Sequence, residues 1–307
     1  MPVRYAYLGP EGTFTEAALA QYEPSAQDEA MPCASIQATL DAVRGGVAER
    51  AMVPIENSVE GAVTATLDEL ATGPDLAIQA EVLMPVTFAL LGTEGTGLAD
   101  IKTVGGHPQA QPQCRRWLAR HLPDAEWRPA SSNAEAARLA ADGQIDAALA
   151  GAFAAVRYGL AVLAAEVNDV PDAVTRFVVV SLPGPVPAST GADRTSLVAF
   201  LREDHPGALM ELLTEFAVRG INLTRIESRP TGDGLGKYCF SIDCEGHLDD
   251  ARVGEALMGL RRVCADVRFL GSYPRRDGGR TQVRAGTSDA EFAQAAAWLG
   301  RLRYGRV

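Results

Sequence analysis

Alternation between short apolar runs and helical patterns constrains the fold of the first 182 residues more than any other feature of the chain. The apolar runs are short enough to be strands and lie at residues 4–9, 51–55, 77–83, 86–91, 101–104, 147–150 and 177–182. Two helical patterns between them begin with a capping box, Thr13 with Glu16 and Ser132 with Glu135. Strands that alternate with helices predict an α/β region.

The pattern changes after a proline-rich stretch. Pro183-Gly184-Pro185-Val186-Pro187 and the small polar residues up to Asp193 predict a stiff linker, residues 183–193. Strand-like runs follow at residues 195–201, 222–228, 238–244 and 267–272, helical patterns at 207–218 and 253–263, and a turn at 231–234. This βαββαβ order predicts a ferredoxin-like domain over residues 194–273. In the tail, residues 274–307, Ser288 with Glu291 predicts a helix that ends at Leu302.

Composition excludes several classes of protein. The net charge of −11 argues against nucleic acid or an anionic membrane as the main partner. The chain starts without an apolar signal region, and its most apolar later stretch, residues 147–156, is too short to cross a bilayer. We therefore expect a cytoplasmic protein. Its five cysteines contain no Cys-x-x-Cys pair, so we expect them to be reduced and to bind no metal: Cys33, Cys114, Cys239, Cys244 and Cys264. The sequence contains no nucleotide-binding fingerprint, so we expect no cofactor.

Polar side chains follow a buried strand at one informative point. The apolar run that ends at Ile55 gives way to Glu56, Asn57 and Ser58, and a helical pattern begins near Val63. Ligands of open α/β sheets gather where strands end and helices begin. These three side chains of different chemistry therefore indicate a site. Capping of the next helix by Asn57 and Ser58 is the structural alternative, and the pattern alone leaves both open.

Three further segments are candidates for the same site. Residues 9–15, Gly-Pro-Glu-Gly-Thr-Phe-Thr, form a glycine-rich turn before a helix, where backbone N–H groups can receive a carboxylate. Residues 106–109, Gly-His-Pro-Gln, lie between a loop and a helix, and residues 175–177, Thr-Arg-Phe, begin the last strand of the region. Arg176 carries a planar fork that can grip a carboxylate. A structural histidine, a strand-edge threonine and a surface arginine remain the alternatives.

Taken together and in this order, these segments resemble the motifs of prephenate dehydratases. The resemblance rests on Pro54-Ile55-Glu56-Asn57-Ser58, the loop 9–15, the tripeptide 175–177 and the segment 106–109, in which Gly106 replaces the family's serine. In the second domain, Gly207-Ala208-Leu209 and Glu227-Ser228-Arg229-Pro230 resemble the motifs of phenylalanine-binding ACT domains. The resemblance covers roughly residues 3–273, and the tail has no counterpart.

The resemblance implies a two-lobed catalytic region over residues 1–182, similar to type II periplasmic binding proteins, with a second lobe at roughly 86–165 and an ACT domain after it. It implies conversion of prephenate to phenylpyruvate, carbon dioxide and water, with no cofactor. It implies a homodimer or homotetramer that L-phenylalanine inhibits. We see no room before Tyr5 for the chorismate mutase domain that some relatives carry.

The resemblance also implies roles for individual residues. The catalytic residues would be Glu56, Asn57, Ser58 and Thr175. The substrate-binding residues would be Thr13, Thr15, His107, Gln109, Arg176 and Phe177. The residues that bind phenylalanine would be Gly207, Ala208, Leu209, Glu227, Ser228, Arg229 and Pro230.

Other functions remain open at this stage. An arogenate dehydratase would share nearly every motif. A two-lobed amino-acid or organic-acid binding protein would share the fold without catalysis, although it would normally carry an export signal. A purely regulatory amino-acid sensor would keep the ACT motifs and would not need Glu56, Asn57, Ser58 or Thr175.

Overall fold

A computed structural model describes residues 2–22, 24–232, 234 and 238–305. Its internal contacts divide the chain into two compact units. Unit 1 comprises residues 1–66 and 82–178, and unit 2 comprises residues 67–81 and 179–307. The predicted turn at 231–234 includes Asp233, which lies outside the described residues.

The N-terminal part of the chain builds most of the first sheet. Its elements are β1 (Arg4–Leu8), α1 (Phe14–Gln21), β2 (Glu29–Cys33), α2 (Ile36–Arg44), β3 (Arg50–Asn57), β4 (Gly61–Ala62), α3 (Thr64–Thr72) and β5 (Ala77–Pro85). Strand β1 pairs in parallel with β2 and β3, and β4 pairs with β3. This sheet forms the first lobe of the α/β region.

The following residues build a second sheet inside unit 1. Its elements are β6 (Ala89–Gly92), a 3-10 turn (Leu98–Asp100), β7 (Thr103–Gly106), α4 (Ala110–Gln113), α5 (Arg115–His121), β8 (Glu126–Pro129), α6 (Asn133–Ala141), β9 (Ala147–Ala150), α7 (Phe153–Tyr158) and β10 (Ala161–Ala164). The strand order is β10-β6-β9-β7-β8. Leu90 and Leu149 enter one core while Leu91 and Ala148 enter another, so helices and loops cover both faces of this sheet.

Strand β11 (Val174–Ser181) returns the chain to the first sheet, whose order is β2-β1-β3-β11-β5. Strands β5 and β11 both run through the division between the units. The return places the start of β11 beside the end of β3, which are far apart in sequence.

Unit 2 contains the βαββαβ domain. Its elements are β12 (Asp193–Phe200), α8 (Ala208–Ala217), β13 (Leu223–Pro230), β14 (Tyr238–Glu245), α9 (Ala251–Val263), β15 (Asp266–Pro274) and α10 (Asp289–Tyr304). The antiparallel sheet has the order β13-β14-β12-β15. Both α8 and α9 contribute to one core with Leu197 and Ile242, so they cover one face of the sheet. This confirms the predicted ferredoxin-like arrangement. The predicted capping box of Ser288 and Glu291 begins α10.

Several predicted boundaries were wrong. Strand β3 continues to Asn57 because Glu56 and Asn57 pair with β4, so these residues lie at the end of a strand and not beyond it. Asp193, predicted to end the linker, is buried in β12 and accepts bonds from Ser189, Thr190 and Gly191. The helix α10 extends two residues past Leu302.

Four strands were not predicted, namely β2, β4, β8 and β10. Of these, β2, β8 and β10 are edge strands. Helix α2 was also not predicted. The contact division places residues 67–81 with the C-terminal domain, whereas the sequence assigned them to the catalytic region. The predicted domain boundaries therefore remain a prediction. Among the described residues, no helix is long and apolar enough to cross a membrane.

Candidate active site

The amide of Asn57 has a fixed orientation at the end of β3. Its Oδ1 accepts hydrogen bonds from the backbone N–H groups of Val59 and Glu60, at 2.8 and 2.9 Å. Because those two partners can only donate, the oxygen must face them and the Nδ2 group must face the other way. Asn57 is therefore held by the loop that follows it. The helix-capping alternative is wrong for Asn57, since α3 begins only at Thr64.

The Nδ2 group of that amide faces Thr175. Asn57 Nδ2 donates to Thr175 Oγ1 at 2.7 Å, and the threonine side chain is buried. A hydroxyl group that accepts a hydrogen bond at its oxygen keeps its own proton for a further acceptor. The structure thus brings together two predicted catalytic residues that are 118 positions apart, and it orients the Thr175 hydroxyl as a donor.

Ser58 joins the same two strands through the backbone. Its N–H donates to the carbonyl of Val174 at 2.9 Å, and its Oγ accepts from the N–H of Val174 at 2.9 Å. These two bonds fix the residue before Thr175 against the residue after Asn57. Ser58 therefore positions the Asn57–Thr175 pair.

Arg176 is buried and paired with Glu56. Its Nε and Nη2 both lie 3.2 Å from Glu56 Oε2, and its side chain is only 5% exposed. The Glu56 carboxylate therefore occupies part of the guanidinium fork that the sequence assigned to a substrate carboxylate.

A cavity of about 920 Å³ lies inside unit 1. It is lined by the loop 8–15, by Pro54 and Phe177 of the first sheet, and by second-lobe residues that include His107, Ser132, Asn133 and Tyr158. Thr175 and Phe177 are two apart on β11 and so point to the same face of the sheet, because successive strand residues alternate. Of the predicted site residues, Thr13, Thr15, His107 and Phe177 line the cavity. The others are not among its lining residues: Glu56, Asn57, Ser58, Gln109, Thr175 and Arg176.

Two helices begin at this cavity. Thr13 caps α1 by accepting a bond from the N–H of Glu16, and Ser132 caps α6 by accepting one from the N–H of Glu135. Both capping residues line the cavity, one from each lobe. Helix N-termini carry a partial positive charge, so this pair favours an anionic ligand. Ser132 is a cavity residue that the sequence analysis assigned only to helix capping.

His107 is held as a neutral donor at the edge of the cavity. Its backbone N–H donates to Asn133 Oδ1 at 2.8 Å, and its Nδ1 accepts from the N–H of Gln109 at 3.3 Å. Burial lowers the pKa of His107. A neutral ring that accepts at Nδ1 carries its proton on Nε2. Gln109 thus acts on His107 through its backbone.

These observations can be compared with known proteins. A family model described as prephenate dehydratase matches residues 5–184, and one described as ACT domain matches residues 195–262. The prephenate dehydratase of Mycobacterium tuberculosis (strain H37Rv) is 52% identical over 312 residues, which cover 99% of this chain and 95% of the relative.

The chain belongs to the prephenate dehydratase family.

Solved structures support this assignment. The prephenate dehydratase of Arthrobacter aurescens, in complex with L-Phe, is 52% identical, with a TM-score of 0.93 over 98% of this chain and 100% of that one. A chain described as a novel type of quorum quenching acylase, GqqA, is 31% identical, with a TM-score of 0.77 over 88% of this chain and 97% of that one. The family is one of lyases, and its two-lobed fold with an ACT domain is confirmed here.

Gly106, which the sequence analysis set against a serine of the family's motif, has surroundings that leave little room for a side chain. A Cβ atom on Gly106 would lie 2.7 Å from Cη2 of Trp127 and 3.4 Å from Cβ of Leu149. The Trp127 ring fills the space that a serine would use.

Tyr158 is a site residue that the sequence analysis missed. Its hydroxyl donates to the carbonyl of Glu11 at 2.6 Å, and its ring packs on Gly12, where an added Cβ would lie 2.9 Å from the ring. Gly12 has a φ of +82°, a conformation that favours glycine. Tyr158 thereby holds the first loop over the cavity. A lone tyrosine at a helix end gives no sequence signal for this contact.

A second, smaller cavity of about 200 Å³ lies in unit 2 at the start of α8. Its lining includes Arg202, Glu203, His205, Ala208 and Glu211. Ala208 is one of the predicted effector-binding residues, and Gly207 is the N-cap with a φ of +99°. Leu209 is exposed, and none of Glu227, Ser228, Arg229 and Pro230 lines this cavity.

The cysteines fit a structural role. All five are free thiols, and burial raises the pKa of Cys114 and of Cys244 to about 12. Within the described residues, no group of three or more His, Cys, Asp and Glu side chains could hold a metal ion.

Proposed function

We propose that this chain converts prephenate to phenylpyruvate and that L-phenylalanine inhibits it through the ACT domain. In this reaction the bond between the ring and its carboxylate breaks, and the electron pair enters the ring as carbon dioxide leaves. The ring hydroxyl departs with its own bonding pair and takes up a proton to become water. The enzyme must therefore hold a dianion and assist a leaving hydroxide.

The observation that carries the proposal is the direction of the Asn57–Thr175 hydrogen bond. Because Asn57 donates to Thr175 Oγ1, the threonine proton is available to the leaving hydroxyl. Threonine is a weak acid, so we assign it orientation and polarisation of the leaving group. Ser58 fixes the strand that carries Thr175.

The cavity supports binding of a dianion. The starts of α1 and α6 at Thr13 and Ser132 supply partial positive charge from two lobes, and His107 presents an Nε2–H donor. Thr15 and Phe177 line the same space and would contact the ring and its substituents. Arg176 forms an ion pair with Glu56, so we propose that it orients the strand that carries Thr175 and contributes to the electrostatic potential of the site. Gln109 would act by holding His107.

The second cavity supports the regulatory part of the proposal. The N–H groups at the start of α8 suit a carboxylate, while Glu203 and Glu211 suit an ammonium group, the two charged ends of an amino acid. We propose Gly207, Ala208 and Leu209 as one side of the phenylalanine site and Glu227, Ser228 and Pro230 at the end of β13 as another. Such a site joined across a two-fold axis would make the protein a homodimer or homotetramer.

Turnover assays test the catalytic proposal. Purified protein is incubated separately with prephenate and with arogenate, and the aromatic product is followed. We expect turnover of prephenate with kcat/KM at least tenfold above that of arogenate. A faster reaction with arogenate would indicate an arogenate dehydratase, and binding without turnover would indicate a binding protein. Either result would contradict the proposal.

A glycine substitution tests the regulatory part. A Cβ on Gly207 would project into open space, so Gly207→Val places its side chain where the effector is proposed to lie. Gly46 has a similar φ of +69° and equally open surroundings, so Gly46→Val controls for backbone strain. We expect phenylalanine to inhibit the wild type and Gly46→Val alike and to lose its effect on Gly207→Val. Equal inhibition of both variants would contradict this site.

A further inference from the structure

Three arginines on separate strands of the ACT sheet hold residues 68–81. Arg229 of β13 binds Asp68, Arg268 of β15 binds the carbonyls of Leu70 and Gly73, and Arg194 of β12 binds Glu81. The backbone of Gly271 lies so close that an added Cβ would be 2.3 Å from the carbonyl oxygen of Ile78. All these contacts lie inside unit 2. The segment is therefore built onto the ACT sheet.

The pair formed by Arg229 and Asp68 has the geometry of a two-pronged clamp. Nε donates to Oδ1 at 2.8 Å and Nη2 donates to Oδ2 at 2.7 Å. Bidentate arginine–carboxylate pairs fix orientation as well as distance. The clamp sets where Asp68, and hence the helix that carries it, lies on the sheet.

Strand alternation separates Arg229 from its neighbour Ser228. Ser228 pairs with Phe240, which enters the core beneath α8 and α9, whereas Arg229 pairs with Cys239 on the opposite face. Ser228 therefore points to the side of the sheet that carries α8, and Arg229 points away from it. Within one motif, one side chain faces the helix layer and the next faces the segment 68–81.

Asp68 lies on α3, two residues after Thr66. The hydroxyl of Thr66 donates to the carbonyl of Pro54 at 2.6 Å, and Thr66 is fully buried. Pro54 lines the large cavity and precedes Glu56 and Asn57 by two and three positions. Residues 66 to 68 of α3 thus carry one contact to the strand of Asn57 and one contact to Arg229.

We propose that Arg229 is a positioning residue that transmits phenylalanine binding to the Pro54–Ser58 segment through Asp68 and α3, and that it is not a ligand of phenylalanine. The inference rests on the proposed function. In this proposal the two neighbouring residues have different roles. Ser228 faces the helices of the regulatory domain, and a displacement of β13 moves α3 through the bond between Arg229 and Asp68.

The experiment uses the full-length protein and L-phenylalanine as the probe. The variants are Asp68→Asn, Arg229→Gln and the charge-swapped pair Asp68→Arg with Arg229→Asp. Asp41→Asn is the matched control, since Asp41 pairs with Arg44 on α2 and is 52% exposed, against 46% for Asp68. Phenylalanine affinity is measured by calorimetry, inhibition by turnover of prephenate, and the response of α3 by hydrogen exchange over residues 64–72.

For the wild type and Asp41→Asn we expect inhibition, with a coupling of about 5–150-fold, and a change of exchange in α3. For Asp68→Asn and Arg229→Gln we expect phenylalanine affinity within about threefold of wild type. Phenylalanine should then neither inhibit turnover appreciably nor change hydrogen exchange in α3. The swapped pair should regain part of both.

Other outcomes overturn the inference. A loss of phenylalanine affinity of tenfold or more in Arg229→Gln alone would make Arg229 a ligand. Wild-type inhibition in Asp68→Asn, or absence of inhibition in an active wild type, would show that the clamp transmits nothing. If the wild type has no dehydratase activity, the proposed function fails, and the exchange response of α3 in the wild type against Asp68→Asn still decides the role of the clamp.

Discussion

Two buried hydroxyl groups, one in each unit, use their hydrogen bonds in opposite directions. In unit 2, Ser196 Oγ donates to Asp243 Oδ1 at 2.7 Å, so it must accept the proton of Tyr273, whose oxygen is 2.7 Å away. In unit 1, Thr175 Oγ1 accepts from Asn57 and keeps its proton. The Ser196 hydroxyl thus donates its proton to a fixed carboxylate, whereas the Thr175 hydroxyl has its proton left to donate to a ligand.

The surroundings of the two groups follow the same contrast. Asp243 also accepts two bonds from Arg225, at 2.9 and 3.1 Å, and Arg225 donates a further bond to Ser241. Together with Ser196 and Tyr273, these side chains connect all four strands of the ACT sheet. Burial of polar groups therefore does not by itself indicate a catalytic site. The direction of each hydrogen bond separates a structural network from a group that can act on a ligand.

Replacement of the two hydroxyls is the strongest test of this contrast. Thr175→Ala should lower kcat by roughly 10²–10⁴-fold because the leaving group loses its donor. Ser196→Ala should leave kcat unchanged and cost about 1–3 kcal/mol of stability, because Asp243 and Tyr273 lose a buried partner. Turnover of prephenate and denaturant unfolding are measured on both variants. Near-normal kcat in Thr175→Ala would remove the proposed role of this residue.

Removal of the carboxylate in the ACT sheet should have the next largest effect. Asp243→Ala leaves Arg225 as an uncompensated buried charge, and breaking such pairs costs about 3–5 kcal/mol. Asp266→Asn breaks the exposed pair with Arg261 and should cost no more than about 1 kcal/mol. Urea denaturation of both variants measures the difference. A similar cost for the two would mean that the buried network contributes no special stability.

Gly106→Ser tests whether the second lobe has room for a side chain at position 106. The new side chain would meet the Trp127 ring, and overpacking of this kind costs about 1–3 kcal/mol. Trp127→Leu in the same chain should relieve most of the loss, and Gly184→Ser in the linker should have little effect. Thermal unfolding of the three variants provides the measurement. Failure of the leucine to rescue stability would rule out Trp127 as the cause.

The pH dependence at His107 should give the smallest effect. Because burial lowers the pKa of His107 in the folded state, the unfolded chain binds more protons between that pKa and about 6.5. The contribution of His107 to stability is therefore present above pH 6.5 and falls as the pH is lowered through this window. Protonation would also remove the acceptor that Nδ1 offers to Gln109. Unfolding of wild type and His107→Gln from pH 5 to 8 should converge at low pH and diverge at high pH. Parallel curves would contradict this account.

The sequence by itself determined the buried strands and the helix starts. Strands β3 and β9 are apolar runs because both of their faces are buried. Thr13, Ser132 and Ser288 are capping residues, and each capping bond joins residues only three positions apart. It also determined which residues to examine, since Asn57 and Thr175 do meet. These features depend on neighbours a few positions away or on burial alone.

The tertiary structure decided what depends on distant partners. Edge strands β2 and β8 are paired on one side only, and each combines a charged residue with proline, so neither resembles a buried strand in the sequence. Edge strand β10, Ala161–Ala164, is apolar throughout and was not predicted. The direction of the Thr175 hydrogen bond, the pairing of Arg176 with Glu56 and the clamp of Arg229 on Asp68 join residues 118, 120 and 161 positions apart. Residue type limits which bonds a side chain can make, and only the fold selects the partner and thereby the direction of the bond.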